Sequence, residues 1–429
     1  MANRYDLIVV GGGPAGAAAA WRAAKDGAKV LIMDRASFPR DKPCGDGVTP
    51  RSVKWLCEMG LDEQISRFHR VDRIRTIATA GVVERPWPER PGLPNYGYVI
   101  PRTELDHAIL QRAAAAGAEV RQAVVAVGPQ IERGVVVGVQ AMENDRLCSF
   151  DAPVCIAADG MSSRFGRAAG LVPRENHLFA IAVRAQVASE RSEDSALECY
   201  MSLRSEKDLL PGYGWVFPLG NGTINLGVGY MSTYPRWKLV NANHLMRRFV
   251  NSLPRDWRLP RVEEMVQSGQ LQGWRLPMGL TTWPPWKPGI LGVGDAIGTA
   301  KPFTGSGISK ALQSGVLGAQ VAISTLGSGD PCDLSAYQHE IDDLWGAYYR
   351  LGRLIAVLLG RPQVMQGLVS TGIRVRQVFD FFMKASLGNG GPEDSKVTNY
   401  AIATLTALSR RARSAQSGTS RPSESLDLG

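Results

Sequence analysis

The chain has 429 residues, enough for two interlocked domains or for one large α/β domain with an inserted sheet. Its 44% hydrophobic and 21% charged residues are ordinary for a well-cored protein. The net charge of +9 is spread thinly, without a basic block interleaved with aromatics; this argues against nucleic-acid binding and leaves open a phosphate-bearing cofactor, an acidic partner or an anionic membrane surface.

The first predicted strand, Tyr5-Asp6-Leu7-Ile8-Val9-Val10, begins so early that no signal peptide is expected. It runs into Gly11-Gly12-Gly13-Pro14-Ala15-Gly16, which fits G-x-G-x-x-G. In that pattern the first glycine allows the tight turn, the second lets a pyrophosphate approach the backbone, and Gly16 lets helix and strand pack closely. A helix from Ala15 to about Asp26 would aim its N-terminal N–H groups at the phosphates. Lys29 to Met33 then read as a second strand ending in Asp34. A carboxylate there accepts ribose hydroxyls and repels a 2′-phosphate, so the site suits FAD or NAD and not NADP.

Phe38 to Leu61 read as a loop and a helix, and residues 70–100 alternate apolar and polar before breaking at prolines. Arg102 opens a helix, either at the cofactor or as a solvated first-turn side chain. Residues 119–158 read as a meander with turns at Gly128, Gly134 and Asn144-Asp145; it ends in a buried strand and Asp159-Gly160, with Arg164 just beyond. Further sheet is expected over 178–233. A hairpin joins Trp215 to Leu219 with Ile224 to Tyr230 through Gly220-Asn221-Gly222. Tyr213, Trp215 and Phe217 alternate, so all three face one side, as an aromatic wall or as ordinary core. Gly227-x-Gly229 lies in a strand pattern and not before a helix, so a second dinucleotide fingerprint is missing.

Gly289 to Ala296 form another buried strand, ending in Gly294-Asp295, with Asp295 at the cofactor or capping a turn. A helix follows from Gly305-Ser306-Gly307 through Ile308 towards Val321. Asp333 to about Leu387 look helical, as a layer over the substrate region, and the tail beyond Arg410 looks disordered. Phe379, Phe381, Phe382 and Met383 read as a core face, with a membrane-touching stripe as the alternative. No apolar stretch approaches a span of about 20 residues. Six cysteines without C-x-x-C pairing, and without His at ligand spacing, suggest a reduced, cytosolic chain with no structural metal; peripheral membrane association is left open.

The Asp159-Gly160 and Gly294-Asp295 strands resemble the DG and GD motifs of the para-hydroxybenzoate-hydroxylase-like flavoproteins. That resemblance implies FAD: the GD aspartate holds a ribityl hydroxyl, the following helix points its positive end at the flavin N1–C2=O edge, and Arg102 reaches the cofactor. The loop Lys42-Pro43-Cys44-Gly45-Asp46-Gly47 resembles the K-x-C-G-x-G loop of the geranylgeranyl reductase family. Tyr213-Gly214-Trp215-Val216-Phe217-Pro218 resembles that family's Y-x-W-x-F-P motif. The resemblance covers residues 5 to about 385. It extends the expected FAD contacts to Arg35, Lys42, Cys44, Gly45, Val125, Asp159, Gly160, Arg164, Pro302, Gly305, Gly307 and Ile308.

Members of that family hydrogenate isoprenoid double bonds, in geranylgeranyl groups, archaeal lipid precursors or the menaquinone side chain. Such chemistry needs a hydride from reduced flavin, a proton for the other carbon and a dry tunnel. Cys44, Tyr213 and Trp215 are the expected catalytic residues, and Tyr213, Trp215, Phe217 and Phe303 the expected substrate contacts; a small apolar filler is the plain alternative for Cys44. Ser306 departs from the family's acidic residue in P-x-x-G-E-G-I, and with Lys310 it would add positive character near the flavin. Electrons would come from docked NAD(P)H or a partner reductase. A flavin monooxygenase, a halogenase and a non-enzymatic prenyl-protein carrier are the rival readings.

The expected fold is α/β, a Rossmann-type FAD-binding domain interleaved with an antiparallel substrate sheet and a C-terminal helical layer. Its segments are 1–70 (FAD-binding βαβ and loop), 71–100 (substrate-domain edge), 101–175 (FAD-binding, with the DG motif), 176–275 (substrate sheet), 276–330 (FAD-binding, with the GD motif), 331–390 (helices) and 391–429 (tail).

Overall fold

A computed structural model describes residues 4–206, 208–302, 304–328 and 332–372. A parallel sheet runs in the spatial order Glu119–Gln122, Val30–Asp34, Leu7–Val10, Val154–Ala157 and Ile290–Gly292, with Trp286–Lys287 added antiparallel at the edge. Its central strands are uninterrupted apolar runs buried on both faces, as a parallel sheet covered on both sides requires.

One face is covered by the helices Pro14–Lys25, Arg102–Ala115 and Ile308–Ser328, which meet Leu7, Val9 and Ile32. The alanines of the first helix let the third come close: a Cβ on Gly315 would collide with the Ala15 carbonyl. The other face is covered by the meander Val125–Glu132, Val135–Glu143 and Arg146–Asp151, through Val139, Ala141 and Phe150. Gly134, Asn144 and Asp145 make its turns with positive φ. Gly128, expected at a turn, lies inside the first of these strands beside a register shift opposite Gln140 and Ala141. A glycine within a strand also marks such an irregularity, and here that use prevails.

A second, mixed sheet has seven strands in the order Gln272–Pro277, Phe179–Ala188, Thr223–Met231, Gly212–Pro218, Ala196–Tyr200, Arg73–Ala78 and Gly81–Pro86. All neighbours are antiparallel except Ala196–Tyr200 with Arg73–Ala78; Arg73–Ala78 and Gly81–Pro86 form one edge, whereas His69–Val71 and Gly97–Val99 join Gly47–Val48 in a separate three-stranded sheet. Val216, Leu226 and Val228 on one face bury the helix Ala242–Ser252 through Met246 and Phe249. A Cβ on Gly214 would strike the Phe249 ring, so the helix packs hard against that face. The opposite face looks towards the parallel sheet.

The C-terminal helices divide between the two sheets. Tyr337, Trp345 and Tyr349 join the core around the fingerprint helix, whereas Ala356, Leu359, Met365 and Val369 pack against Leu178, Met231 and Met278. These helices therefore lie against both sheets. Phe379, Phe381, Phe382, Met383 and the tail lie outside the described residues.

Candidate active site

The two sheets enclose one continuous cavity of about 940 Å³, which runs from the glycine turn to the free face of the seven-stranded sheet. At the turn, Gly11 has φ +111°, and a Cβ there would collide with the Ala158 carbonyl. A Cβ on Gly16 would collide with the Gly11 carbonyl. Gly13 is different: a Cβ there would project to within 3.5 Å of Arg40 Nη2, so it borders the cavity and not another backbone. Asp34 accepts N–H bonds from Gly12 (2.7 Å) and Ala36 (2.8 Å), which brace the turn while the carboxylate still borders the cavity.

Asp159 performs a similar task at the neighbouring strand end. It accepts from Ser163 Oγ and Phe165 N, each at 2.8 Å, and folds the chain into the short helix carrying Arg164. Burial pushes its carboxyl up, and those two bonds hold back the rise. Lys42 Nζ lies 3.3 Å from Asp295 Oδ2 and joins the 38–47 loop to the GD strand end. The 21-residue helix beginning at Ile308 presents its N-terminus to the same space, with Gly305, Gly307, Ile308 and Ala311 on the cavity wall. A negative charge is stabilised at such an end.

Arg102 and Asp106 are buried under the loop and form a bidentate pair at 2.6 and 2.6 Å. Arg40 approaches the same carboxylate at 3.0 Å. Arg102 also borders the cavity beside Cys44, so most of its charge is matched by Asp106 rather than held free. Burial pushes the Cys44 thiol up, and the adjacent guanidinium only partly opposes this. The group therefore carries its proton at neutral pH.

Across the cavity, Tyr213, Trp215 and Phe217 stand in a row, with successive ring centroids 6.1 and 6.4 Å apart. Trp274, from the edge strand Gln272–Pro277, meets Trp215 at 6.3 Å. The strand pairing sets Gly227 opposite Trp215 and Gly229 opposite Tyr213. A Cβ on Gly227 would enter the indole, so this glycine pair is a seat for Trp215. Phe217 and Trp215 in turn press on the loop: a Cβ on Gly45 would lie 3.3 Å from both. The Tyr213 hydroxyl donates to the Thr304 carbonyl at 2.6 Å and ties the wall to the loop before the Ile308 helix.

Of the expected cofactor residues, Gly11, Gly13, Pro14, Ala15, Asp34, Arg35, Lys42, Cys44, Gly45, Arg102, Val125, Asp159, Gly160, Arg164, Asp295, Gly305, Gly307 and Ile308 line this cavity. Gly16 and Gly294 are set back, at helix contacts where a Cβ would strike Gly11 O and Ala15 Cβ. Pro302 packs instead on Gly352 and Gly279 of the C-terminal region. Phe303 lies outside the described residues. Lys310 is fully buried with its ammonium 4.1 Å from the Trp345 ring centroid, and burial lowers its pKa well below the usual range. It therefore turns towards the protein core rather than adding charge at the cavity.

The sequence reading missed Arg40, Trp274 and Met278 on the lining, and the buried Asp46 and Asn225 behind it. Trp274 and Met278 sit on or just beyond an edge strand with no motif of its own, and only strand pairing brings them to the wall.

The cradle fits FAD. A pyrophosphate needs the bare backbone at Gly13 and a helix N-terminus, a ribose needs the Asp34 carboxylate, and an isoalloxazine needs a second N-terminus near its pyrimidine edge; the cavity has all of them. Residues 4–347 match the family model for an FAD binding domain. The chain is 33% identical to a menaquinone reductase from Mycolicibacterium smegmatis over 85% of this chain and 87% of that one. It is 31% identical to a digeranylgeranylglycerophospholipid reductase from Methanopyrus kandleri, over 83% and 90%. A geranylgeranyl bacteriochlorophyll reductase-like protein from Thermoplasma acidophilum superposes with a TM-score of 0.75 at 26% identity, covering 94% of this chain and 100% of that one. A flavin-dependent brominase, at 17% identity and a TM-score of 0.72, shares the fold. Cradle, family model and relatives agree: the chain is an FAD-dependent oxidoreductase and belongs to the geranylgeranyl reductase family.

Proposed function

We propose that this enzyme reduces a carbon–carbon double bond in an isoprenoid chain, carried by a prenyl quinone or a prenyl lipid. The observation that carries the reading is the division of the cavity: a nucleotide cradle at one end, an aromatic wall at the other and a protonated thiol between them. Flavin, when bound, supplies the hydride. The chain's residues supply the rest. Tyr213, Trp215, Phe217 and Trp274 offer an apolar aromatic surface that excludes water and holds an unsaturated chain extended. Cys44 Sγ–H stands at the edge of that surface and donates the proton to the second carbon, while Arg102 stabilises the thiolate left behind. The named substrates of the curated relatives, menaquinone and digeranylgeranylglycerophospholipid, are of this class.

We assign the electron donor to a docked nicotinamide nucleotide or a reductase partner, because Gly227 and Gly229 are committed to seating Trp215. Among the described residues no helix is long and apolar enough to cross a membrane.

The test is anaerobic reduction of the purified FAD-loaded enzyme followed by addition of menaquinone or a prenyl diphosphate. Flavin reoxidation with one hydrogen pair added to the prenyl chain itself, located by fragmentation after any quinol has been reoxidised in air, supports the reading. Oxygen-dependent hydroxylation, or no reoxidation by either substrate, overturns it.

A further inference from the structure

The free face of the seven-stranded sheet is aromatic or glycine along most of its centre, yet it carries one fully buried amide, Asn225. Strand pairing sets Asn225 opposite Phe217, one step along the same face from Gly227 and Trp215. Three hydrogen bonds occupy its side chain. Oδ1 accepts from Trp215 Nε1 at 2.9 Å, while Nδ2 donates to the Cys44 carbonyl at 2.8 Å and to Asp46 Oδ2 at 2.7 Å. An amide is the only neutral side chain of this size that accepts from an indole and donates to two oxygens at once.

What it holds is an unfavourable turn. Asp46 is buried and has φ +60°, a conformation that non-glycine residues rarely adopt. The Asp46 backbone works against the rise that burial gives the Cys44 thiol. A second tie braces the same loop, with Arg184 Nη2 bonded to both Asp41 oxygens at 2.8 and 2.7 Å. The loop is thus fastened to the wall by a charged pair at Asp41 and by the amide at Cys44 and Asp46.

We propose that Asn225 is a positioning residue: through Trp215, Cys44 O and Asp46 it sets the place of the Cys44 thiol relative to the wall on which the substrate lies. This rests on the proposed alkene reduction for its catalytic consequence, and not for its geometry. The carboxyl of Asp46 is faced by Asn225 and Arg184 from the sheet, by Arg102 from its helix, and by Asp41 and Cys44 from its own loop. Burial raises it to about 7, and the Asn225 bond works against that rise.

Three variants of the FAD-loaded protein test this: Asn225→Ala, Asn225→Asp and Trp215→Phe, with Asn221→Ala in the exposed turn as control. The first readout is the rate of Cys44 alkylation by iodoacetamide from pH 6 to 11, mapped by peptide mass spectrometry. Asn225→Ala and Trp215→Phe are expected to change that rate by about threefold or more and to shift its pH midpoint, with FAD content retained. Asn225→Asp is expected to behave like Asn225→Ala at high pH and to return towards wild type as the pH falls and a shared proton restores a donor to Asp46. The second readout is turnover: kcat falls about tenfold or more in Asn225→Ala while KM moves less. Unchanged alkylation and an unchanged pH midpoint in the three variants overturn the proposal. If Asn225→Ala does not fold, the Asn225→Asp pH response and Trp215→Phe decide it. The alkylation readout needs no substrate, so a wild-type enzyme that fails to reduce a prenyl substrate overturns the proposed function and leaves this inference standing.

Discussion

The parallel sheet and the seven-stranded sheet reach the same cavity by different means. The cofactor side is built from backbone: glycines whose missing Cβ atoms leave room, carboxylates spent on bracing N–H groups, and helix ends. The substrate side is built from side chains held in register, in which each aromatic depends on the residue opposite it. Errors on the first side should abolish binding, whereas errors on the second should be graded.

The largest expected effect is on the backbone side. Gly16→Val forces a side chain into the Gly11 carbonyl and should yield colourless protein that takes up no FAD, seen as loss of visible flavin absorbance. Next is the residue between the two sides. Cys44→Ala should retain FAD and lose about 10²- to 10⁴-fold in alkene reduction, the usual contribution of a positioned proton donor; equal turnover would remove Cys44 from the chemistry. On the side-chain side, Trp215→Ala empties a buried indole site and should cost on the order of 3–5 kcal/mol in stability, with a raised KM for prenyl substrates. Chemical denaturation and steady-state kinetics check both.

Asp46 sharpens the comparison through pH. Its folded pKa, about 7, lies above the ordinary carboxyl value of 3.8, so its stabilising contribution is fully present below the ordinary value and is lost as pH rises through about 7. Denaturation measured between pH 4 and 8 should show that falling limb, and Asp46→Asn should flatten it. The smallest effect is expected from Tyr213→Phe. It removes the bond to Thr304 O and should cost about 1 kcal/mol, with FAD retained, read as a small shift in the denaturation midpoint.

Much of the cofactor half was legible in the chain. Gly11, Asp34, Asp159 and Asp295 each sit at the end of an apolar strand, and local geometry forces the same residue types wherever such a turn recurs. The orientation of Lys310 was not legible, because it lies in the first turn of its helix between Ile308 and Ala311 of the cavity wall, and only the Trp345 contact shows which way it faces. The packing of Pro302 was hidden for a related reason: Gly279 and Gly352, which it meets, are distant in sequence. Gly128 shows that a glycine announces a departure from regular backbone without saying whether it is a turn or a bulge.

By itself the sequence determined the dinucleotide turn, the order of the flavin motifs and the alternation that puts Tyr213, Trp215 and Phe217 on one face. These are properties of consecutive residues, governed by local sterics and strand periodicity. Tertiary structure alone decided that this face meets the Cys44 loop, that Gly227 seats the indole, and that Asn225 joins the two. Those relations depend on register between strands and on a loop some 180 residues away, and no local pattern encodes a hydrogen bond across such a distance.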